Sequence, residues 1–251
     1  MIPLRDNIPT RHFPIVTVTL IAANVVMFVL DRVVLRQEVL QPVMTQYGPR
    51  LLAHATGGLS EQYAMIPASV SSAQPGAWVT VFSSMFLHAN LLHVAWNMLY
   101  LWVFGNNIED ALGKGRFVLF YLASGAVAAA AHIATGPNST VPTVGASGAV
   151  AGLMGAYLIL YPGAQILSLV PVLFISTLME VPAAMVIGFW AVLQFVNASW
   201  LGAGDVQGGG VAYFAHVGGF VAGVVMIVLL GGRRLSDRRR AALDDDYYYR
   251  R

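Results

Sequence analysis

The sequence predicts an all-α membrane protein, a bundle of six transmembrane helices. Of its 251 residues, 57% are apolar and only 10% are charged, and the mean hydropathy is +0.66. Soluble domains carry about 25% charged residues. A helix needs about 20 residues to cross a hydrocarbon core of about 30 Å. Apolar stretches of about this length occur near residues 14–34, 86–105, 117–135, 145–161, 181–199 and 211–231.

A further apolar stretch, residues 166–180, is too short for a seventh span and has Pro171 within it and Pro182 just after it. Proline disrupts a continuing helix, so we expect a re-entrant or interfacial segment there. Asp31 and Arg32 directly follow the first apolar stretch, and no small-residue cleavage pattern is clear. We therefore expect the first span to be retained and not removed as a signal peptide.

The basic residues predict the orientation, because Lys and Arg accumulate in cytoplasmic loops. With six spans, 11 of the 14 Lys and Arg residues fall on one side, and only Arg32, Arg36 and Arg50 fall on the other. We expect a cytoplasmic segment at 1–12, a membrane domain at 13–232 and a basic, low-complexity cytoplasmic tail at 233–251. Both termini would be cytoplasmic, with the cell (plasma) membrane as the location. No basic face suited to nucleic acid is evident.

The residue types that the chain contains limit the kinds of catalysis that it could perform. The chain has no cysteine, which excludes thiol catalysis and cysteine-ligated metals. It has no HExxH motif either; His88 and His93 are five residues apart, a poor spacing for one helical face. We therefore expect no metal and no cofactor. Any chemistry would come from Ser, His, Asn or carboxylates.

Four polar side chains are predicted to share one site in the outer half of the membrane. Ser147 lies in Gly-Ala-Ser-Gly at 145–148, where a polar loop becomes an apolar helix, and His216 lies early in the last span. Spans two, four and six run in the same direction. With helices starting near 86, 143 and 211, His93, Ser147 and His216 lie about 10, 6 and 8 Å below those starts at ~1.5 Å per residue. Asn97 lies one turn deeper than His93. Polar groups in hydrocarbon need partners.

Small residues indicate how the serine and histidine could meet. Gly219 and Gly223 lie three and seven residues after His216, so the histidine face of that helix allows close approach of a neighbour. We expect the Ser147 oxygen and the imidazole within the ~3 Å needed for proton transfer. The Ser147 N–H at the helix start, with His93 and Asn97 on one face of span two, could donate to an oxyanion. No carboxylate is obviously placed to orient His216, so the pattern favours a dyad.

Each residue also has a purely structural interpretation. Serine in a Gly/Ala-rich membrane helix commonly serves packing, and His93 and Asn97 could bridge helices by hydrogen bonds. His88 could lie at the headgroup boundary. Structural roles are expected for the remaining histidines and for two inner-loop carboxylates beside basic residues: His12, His54, His132, Glu109 and Asp110.

Taken together, three motifs resemble the rhomboid family of intramembrane serine proteases. They are HxxxxHxxxN at His88, His93 and Asn97, the 145–148 motif, and Ala-His-Val-Gly-Gly at 215–219; the resemblance extends over about residues 10–232. It implies Ser147 as nucleophile, His216 as general base, and His93, Asn97 and the Ser147 amide as the oxyanion site. His88 would match a structural histidine at the membrane surface. The family cleaves transmembrane segments of other proteins in the bilayer, without metal or ATP.

Two departures from the family pattern stand out. Many members stack an aromatic residue on the histidine one turn after the serine, where this chain has Ala151; other contacts would then hold the base. Trp78 is followed by Val79, whereas the first loop often carries Trp-Arg. The alternative function is a non-catalytic rhomboid-like chaperone or binding protein. A transporter is disfavoured because no charged residue lies in the middle of a span.

The resemblance and the glycine pattern also suggest how substrate and water reach the site. We expect substrate helices to enter between spans two and five and to unwind there. The loop at 202–210, with five glycines, would cap the site from the outer aqueous side.

Overall fold

The computed structural model describes residues 1–45, 48–172, 175–201, 212–232, 234, 235 and 237. The predicted cap, 202–210, lies outside this part of the chain. So does the predicted tail, 233–251, apart from residues 234, 235 and 237.

The described chain is mostly helical, and helices coincide with all six apolar stretches. The helices are α1 Ile15–Val29, α2 Ser60–Tyr63, α3 Pro67–Ser71, α4 Ala77–Ser83, α5 Leu91–Tyr100, α6 Asn106–Leu112, α7 Lys114–Thr135, α8 Ser147–Leu160, α9 Ala183–Leu201 and α10 Tyr213–Leu229. Short π-helical turns, Leu30–Val34 and Leu101–Gly105, extend α1 and join α5 to α6, and a 3₁₀ turn, Ser84–Phe86, follows α4.

The chain is mostly helical, as predicted, but the described residues also form two antiparallel sheets, which the prediction of an all-α protein did not include. Their strands are β1 Ile2–Asp6, β2 Gln37–Thr45, β3 Gly48–Thr56, β4 Gln165–Val172 and β5 Ile175–Pro182. The first sheet has the order β1-β4-β5, and the second is the pair β2-β3.

The β4-β5 pair occupies the apolar stretch expected to be re-entrant or interfacial. Ile166 pairs with Val181 and Val170 with Thr177, and β1 covers the other edge of β4. Val, Ile and Thr favour strands, and Pro171 opposes a helix. Once β1 covers that edge, β4 has hydrogen-bonding neighbours on both sides.

By length and composition, two described helices could cross a membrane. They are Ile15–Val34 and Lys114–Thr135, and the bent pair Ala77–Phe86 plus Leu91–Leu112 would be a third if it forms one broken span. Three further apolar helices, Ser147–Leu160, Ala183–Ser199 and Tyr213–Leu229, are shorter than this test requires. The count of six spans therefore remains a prediction.

Span two begins later than predicted. The two halves of the bent pair meet at 81°, and α5 begins at Leu91, not near 86. Leu87 has extended backbone angles, and the Asn90 side chain accepts a hydrogen bond from the His93 N–H, which caps α5. His93 is therefore in the first turn of its helix and not about 10 Å below the helix start. The other two site residues also lie in the first turns of their helices: Ser147 is the first residue of α8, and His216 is the fourth residue of α10.

Helix α8 lies at the centre of the helical core, with α7 and α10 packed against it. Nearly every residue of α8 is buried. The predicted close approach on the glycine face of α10 is confirmed. A Cβ atom on Gly219 would overlap the carbonyl oxygen of Gly148, and one on Gly223 would overlap that of Gly152. The two backbones are in direct contact, which fixes α10 against α8.

Glu109 and Asp110 accept hydrogen bonds from the segment at the beginning of α1. Glu109, which is buried, accepts hydrogen bonds from the Val16 and Thr17 N–H groups and the Thr17 hydroxyl. Asp110 accepts from the backbone N–H groups of Arg11 and His12. The first turn of a helix has N–H groups without helical partners. Glu109 therefore caps α1 from a neighbouring helix, which is a structural role.

Candidate active site

Ser147 and His216 are in hydrogen-bond contact. His216 Nε2 lies 2.7 Å from Ser147 Oγ, and His216 is 8% exposed. The two residues come from the first turns of α8 and α10, which the glycine contacts hold together. The contact has the short reach that proton transfer from a hydroxyl to an imidazole requires.

The second ring nitrogen of His216 also has a partner. Nδ1 lies 2.7 Å from Oε1 of Gln194, on α9. Trp190, one turn earlier on α9, has its ring centroid 5.7 Å from that of the imidazole, with the planes tilted by 40°. Helix α9 therefore contacts both the edge and the ring of the histidine.

Sequence reasoning missed Gln194 and Trp190. From the sequence, a group that orients His216 is expected only among the carboxylates. A signal was present: Gln194 is a polar side chain in an apolar span, and such a side chain needs a partner. Trp190 and Gln194 are also four residues apart, a spacing that puts both on one helical face.

His93 reaches the same region from the first turn of α5. Its Nδ1 accepts from the Ala89 N–H at 3.4 Å, which leaves Nε2 as the nitrogen that carries hydrogen. Gly145, with φ +132°, passes directly beside the ring: a Cβ atom there would lie 2.9 Å from His93 Nε2 and 3.7 Å from Ser147 Oγ. His93 and Ser147 thus both lie close to the position that a side chain at Gly145 would occupy.

Asn97 is buried one turn after His93 and lines the same cavity. Its Nδ2 donates to the His93 carbonyl at 2.9 Å, so one of its two amide hydrogens serves α5 itself. The other hydrogen is the one that could serve an oxyanion. The Ser147 N–H is at the first position of α8, where the helix supplies no acceptor.

Two further histidines, His88 and His132, lie next to the site. His88, fully buried, meets His93 edge to face with ring centroids 5.0 Å apart, and its carbonyl accepts from Arg32 Nε at 3.1 Å. It thus packs against the candidate oxyanion donor. His132, expected to have only a structural role, is also buried and lines the cavity; its Nε2 lies 3.2 Å from Thr143 Oγ1.

A cavity of about 1160 Å³ is lined by five of these residues: His93, Asn97, His132, Ser147 and His216. Its wall includes Trp96 and Tyr100 from α5, and Trp190 and Ala198 from α9. The cavity therefore reaches from the Ser147 hydroxyl to residues on both of these helices. Among the described residues, no three His, Asp or Glu side chains are grouped so as to hold a metal ion.

Comparison with known proteins shows to which family the chain is related. The model of the Rhomboid domain family matches residues 75–233, which include all four predicted site residues. Rhomboid protease GluP of Bacillus subtilis is 40% identical over 83 residues, covering 33% of this chain and 16% of that protein. The mitochondrial rhomboid protein 1 of Saccharomyces cerevisiae is 32% identical over 153 residues, 59% of this chain and 40% of that protein.

A third relative is the mitochondrial presenilin-associated rhomboid-like protein of Homo sapiens. It is 34% identical over 145 residues, 56% of this chain and 31% of that protein. This chain thus covers less than half the length of each of these relatives. Since the family model matches well over half of the chain, the protein belongs to the rhomboid family, a family of membrane proteins.

Proposed function

We propose that this protein is an intramembrane serine endopeptidase that cleaves transmembrane segments of other membrane proteins. The observation that carries the proposal is the 2.7 Å contact between Ser147 Oγ and His216 Nε2 in the wall of a large cavity. A relative named as a protease, GluP of Bacillus subtilis, supports it.

The reaction follows from the contacts of these side chains. Ser147 Oγ attacks the scissile carbonyl carbon while His216 Nε2 takes the hydroxyl proton. The carbonyl oxygen becomes an oxyanion, for which the Ser147 N–H, His93 Nε2 and Asn97 Nδ2 are the candidate donors. His216 then gives its proton to the leaving amine as the C–N bond breaks. Water deprotonated by His216 hydrolyses the acyl-enzyme and restores the Ser147 hydroxyl.

The topology that we propose has six spans with both termini in the cytoplasm and, as location, the cell membrane. The distribution of 11 against 3 basic residues supports this orientation. With six spans, the first turns of α5, α8 and α10 face the outer side, so water would enter from that side.

Substrate helices would enter between α5 and α9. The cavity wall supports this path, because Trp96 and Tyr100 from one helix and Trp190 and Ala198 from the other border the space around Ser147. A helical peptide bond is shielded by its own hydrogen bonds, so the substrate must unwind before Ser147 can attack.

The test is cleavage of a single-span model substrate by the purified protein in lipid vesicles. We expect Ser147→Ala and His216→Ala each to abolish cleavage, a loss of at least about a thousandfold, as is usual when nucleophile or base is removed. The control is Ser72→Ala, at an exposed serine of the first loop, which should cleave like the wild type.

Reactivity of Ser147 toward a fluorophosphonate probe separates the proposal from its alternative. An active site with an activated serine reacts, and labelling should disappear in both site variants. If the wild type neither cleaves several substrates nor becomes labelled, the chain is better explained as a non-catalytic rhomboid-like chaperone or binding protein.

A further inference from the structure

Helix α9 makes two contacts with His216, through residues that have no role in the reaction proposed above. Gln194 Oε1 lies 2.7 Å from Nδ1, and the Trp190 ring lies 5.7 Å from the imidazole. The same Trp190 ring is 6.4 Å from Phe220, one turn after His216 on α10. Trp190 therefore packs along the α10 face that carries the histidine.

The Gln194 contact selects one form of the imidazole. A neutral imidazole carries hydrogen on one nitrogen and a lone pair on the other. Because Gln194 Oε1 can only accept, its hydrogen bond requires the hydrogen on Nδ1. That form leaves the lone pair on Nε2, where it faces Ser147 Oγ at 2.7 Å. The opposite form could not take the serine proton.

The Trp190 contact compensates for Ala151. This buried alanine lies one turn after Ser147 on α8 and has no aromatic ring to hold the imidazole. An aromatic ring against an imidazole restricts its rotation and excludes water. In this chain the ring comes from α9 instead of α8.

We propose that Gln194 is a positioning residue that holds His216 in the Nδ1-protonated form, with Trp190 restraining the ring from the same helix. The amide oxygen has the orienting role that a carboxylate has in a catalytic triad, but without its charge. When His216 accepts the serine proton, Gln194 Oε1 remains hydrogen-bonded to Nδ1 and stabilises the imidazolium. This inference deepens the proposed function and rests on it.

The decisive variants are Gln194→Leu, which keeps the size of the side chain but has no acceptor, and Gln194→Glu, which restores an acceptor oxygen at the same reach. In lipid vesicles, we expect Gln194→Leu to lower kcat at least about tenfold while KM changes less than about twofold, because the tautomer affects proton transfer and not substrate binding. We expect Gln194→Glu to recover most of the lost kcat.

The control is Val192→Ala, on the same helix at a side chain that is 59% exposed. It should match the wild type in kcat, KM and thermal unfolding temperature. A Gln194→Leu variant that unfolds at a lower temperature but keeps the wild-type kcat has lost only stability. That result would overturn the positioning role.

Nitrogen NMR spectroscopy of histidine-labelled protein, assigned against His216→Ala, reads the tautomer directly. We expect one Nδ1-protonated form in the wild type and a mixture in Gln194→Leu; a single, unchanged form in both would overturn the inference. This readout does not need turnover. If the wild type fails to cleave and Ser147 is not labelled, the proposed function fails, while the spectra still show whether Gln194 sets the tautomer.

Discussion

At the scale of single residues, His216 has both ring nitrogens engaged. Nε2 contacts Ser147 and Nδ1 contacts Gln194, each at 2.7 Å. Ser147 can give its proton only to the form of His216 that carries hydrogen on Nδ1, and an amide oxygen at Nδ1 favours that form. The same reasoning applies to His93, whose Nδ1 accepts from the Ala89 N–H and so leaves hydrogen on Nε2.

Substitution of Gly145 tests whether His93 takes part in the reaction. Its φ of +132° strains any other residue, and an added Cβ atom would lie 2.8 Å from His93 Cε1 and 2.9 Å from Nε2. In Gly145→Ala, we expect the imidazole to move away from its position beside Ser147. The variant should lose about tenfold or more in kcat, as for removal of an oxyanion donor, measured with the vesicle cleavage assay.

The control for Gly145→Ala is Gly76→Ala. Gly76 also has a left-handed φ, +79°, but a Cβ atom there would meet nothing within 4 Å. Both substitutions impose backbone strain of about 1–3 kcal/mol, which thermal unfolding measures. Only Gly145→Ala should lower turnover. If both variants cleave at the wild-type rate, His93 is not an essential donor.

At the scale of helices, the site depends on how closely α8 and α10 approach. Lipid tails are as apolar as the helices themselves, so packing must come from close contact between small residues. Gly148 and Gly152 of α8 face Gly219 and Gly223 of α10, backbone against backbone. Their contact sets the distance between the helix ends that carry Ser147 and His216.

Substituting Gly223 should therefore disturb a site two turns away. A Cβ atom in Gly223→Ala would overlap the Gly152 carbonyl, so we expect α10 to shift outward or rotate. Overpacking of this kind costs about 1–3 kcal/mol. We expect a lower thermal unfolding temperature together with slower labelling of Ser147 by the fluorophosphonate probe, because the serine and histidine move apart.

Gly188→Ala on α9 is the matched control, since a Cβ atom there would meet nothing within 4 Å. It changes the same residue type, also within an apolar helix, but should keep both stability and labelling. Equal behaviour of Gly223→Ala and Gly188→Ala would mean that the α8-α10 contact does not control the site.

At the scale of the whole molecule, the sequence predicts the features that depend on local composition. The six apolar stretches correspond to helices, because a long run of apolar residues by itself indicates a segment that lies in an apolar environment. The motifs likewise indicate Ser147 and His216 as neighbours. Residues 166–180 are different: an apolar run without clear alternation does not distinguish a buried strand from a helix, and β4 is a strand that pairs with the distant β1.

The contacts that sequence reasoning misses are those between helices whose rotation about their own axes is set by packing. Nothing local to Gln194 or Trp190 indicates that α9 turns this face toward His216. The depth of His93 was mispredicted for a related reason. The chain bends by 81° between Ala77–Phe86 and Leu91–Leu112, and the cap at Asn90 begins α5 at Leu91 and not near 86.

The six-span topology can be tested because the chain has no cysteine, so a single introduced cysteine is the only thiol. Ser72 lies in the first loop and Gly163 lies between α8 and β4; both are exposed, and a side chain at Gly163 would meet nothing within 4 Å. With six spans and cytoplasmic termini, position 72 faces outward and position 163 inward.

In intact cells, a membrane-impermeant maleimide should label Ser72→Cys but should label Gly163→Cys only after permeabilisation. Labelling of both from outside would contradict the span count, and the reverse pattern would invert the orientation. The first turns of α5, α8 and α10 would then face the cytoplasm, and water would reach Ser147 from that side.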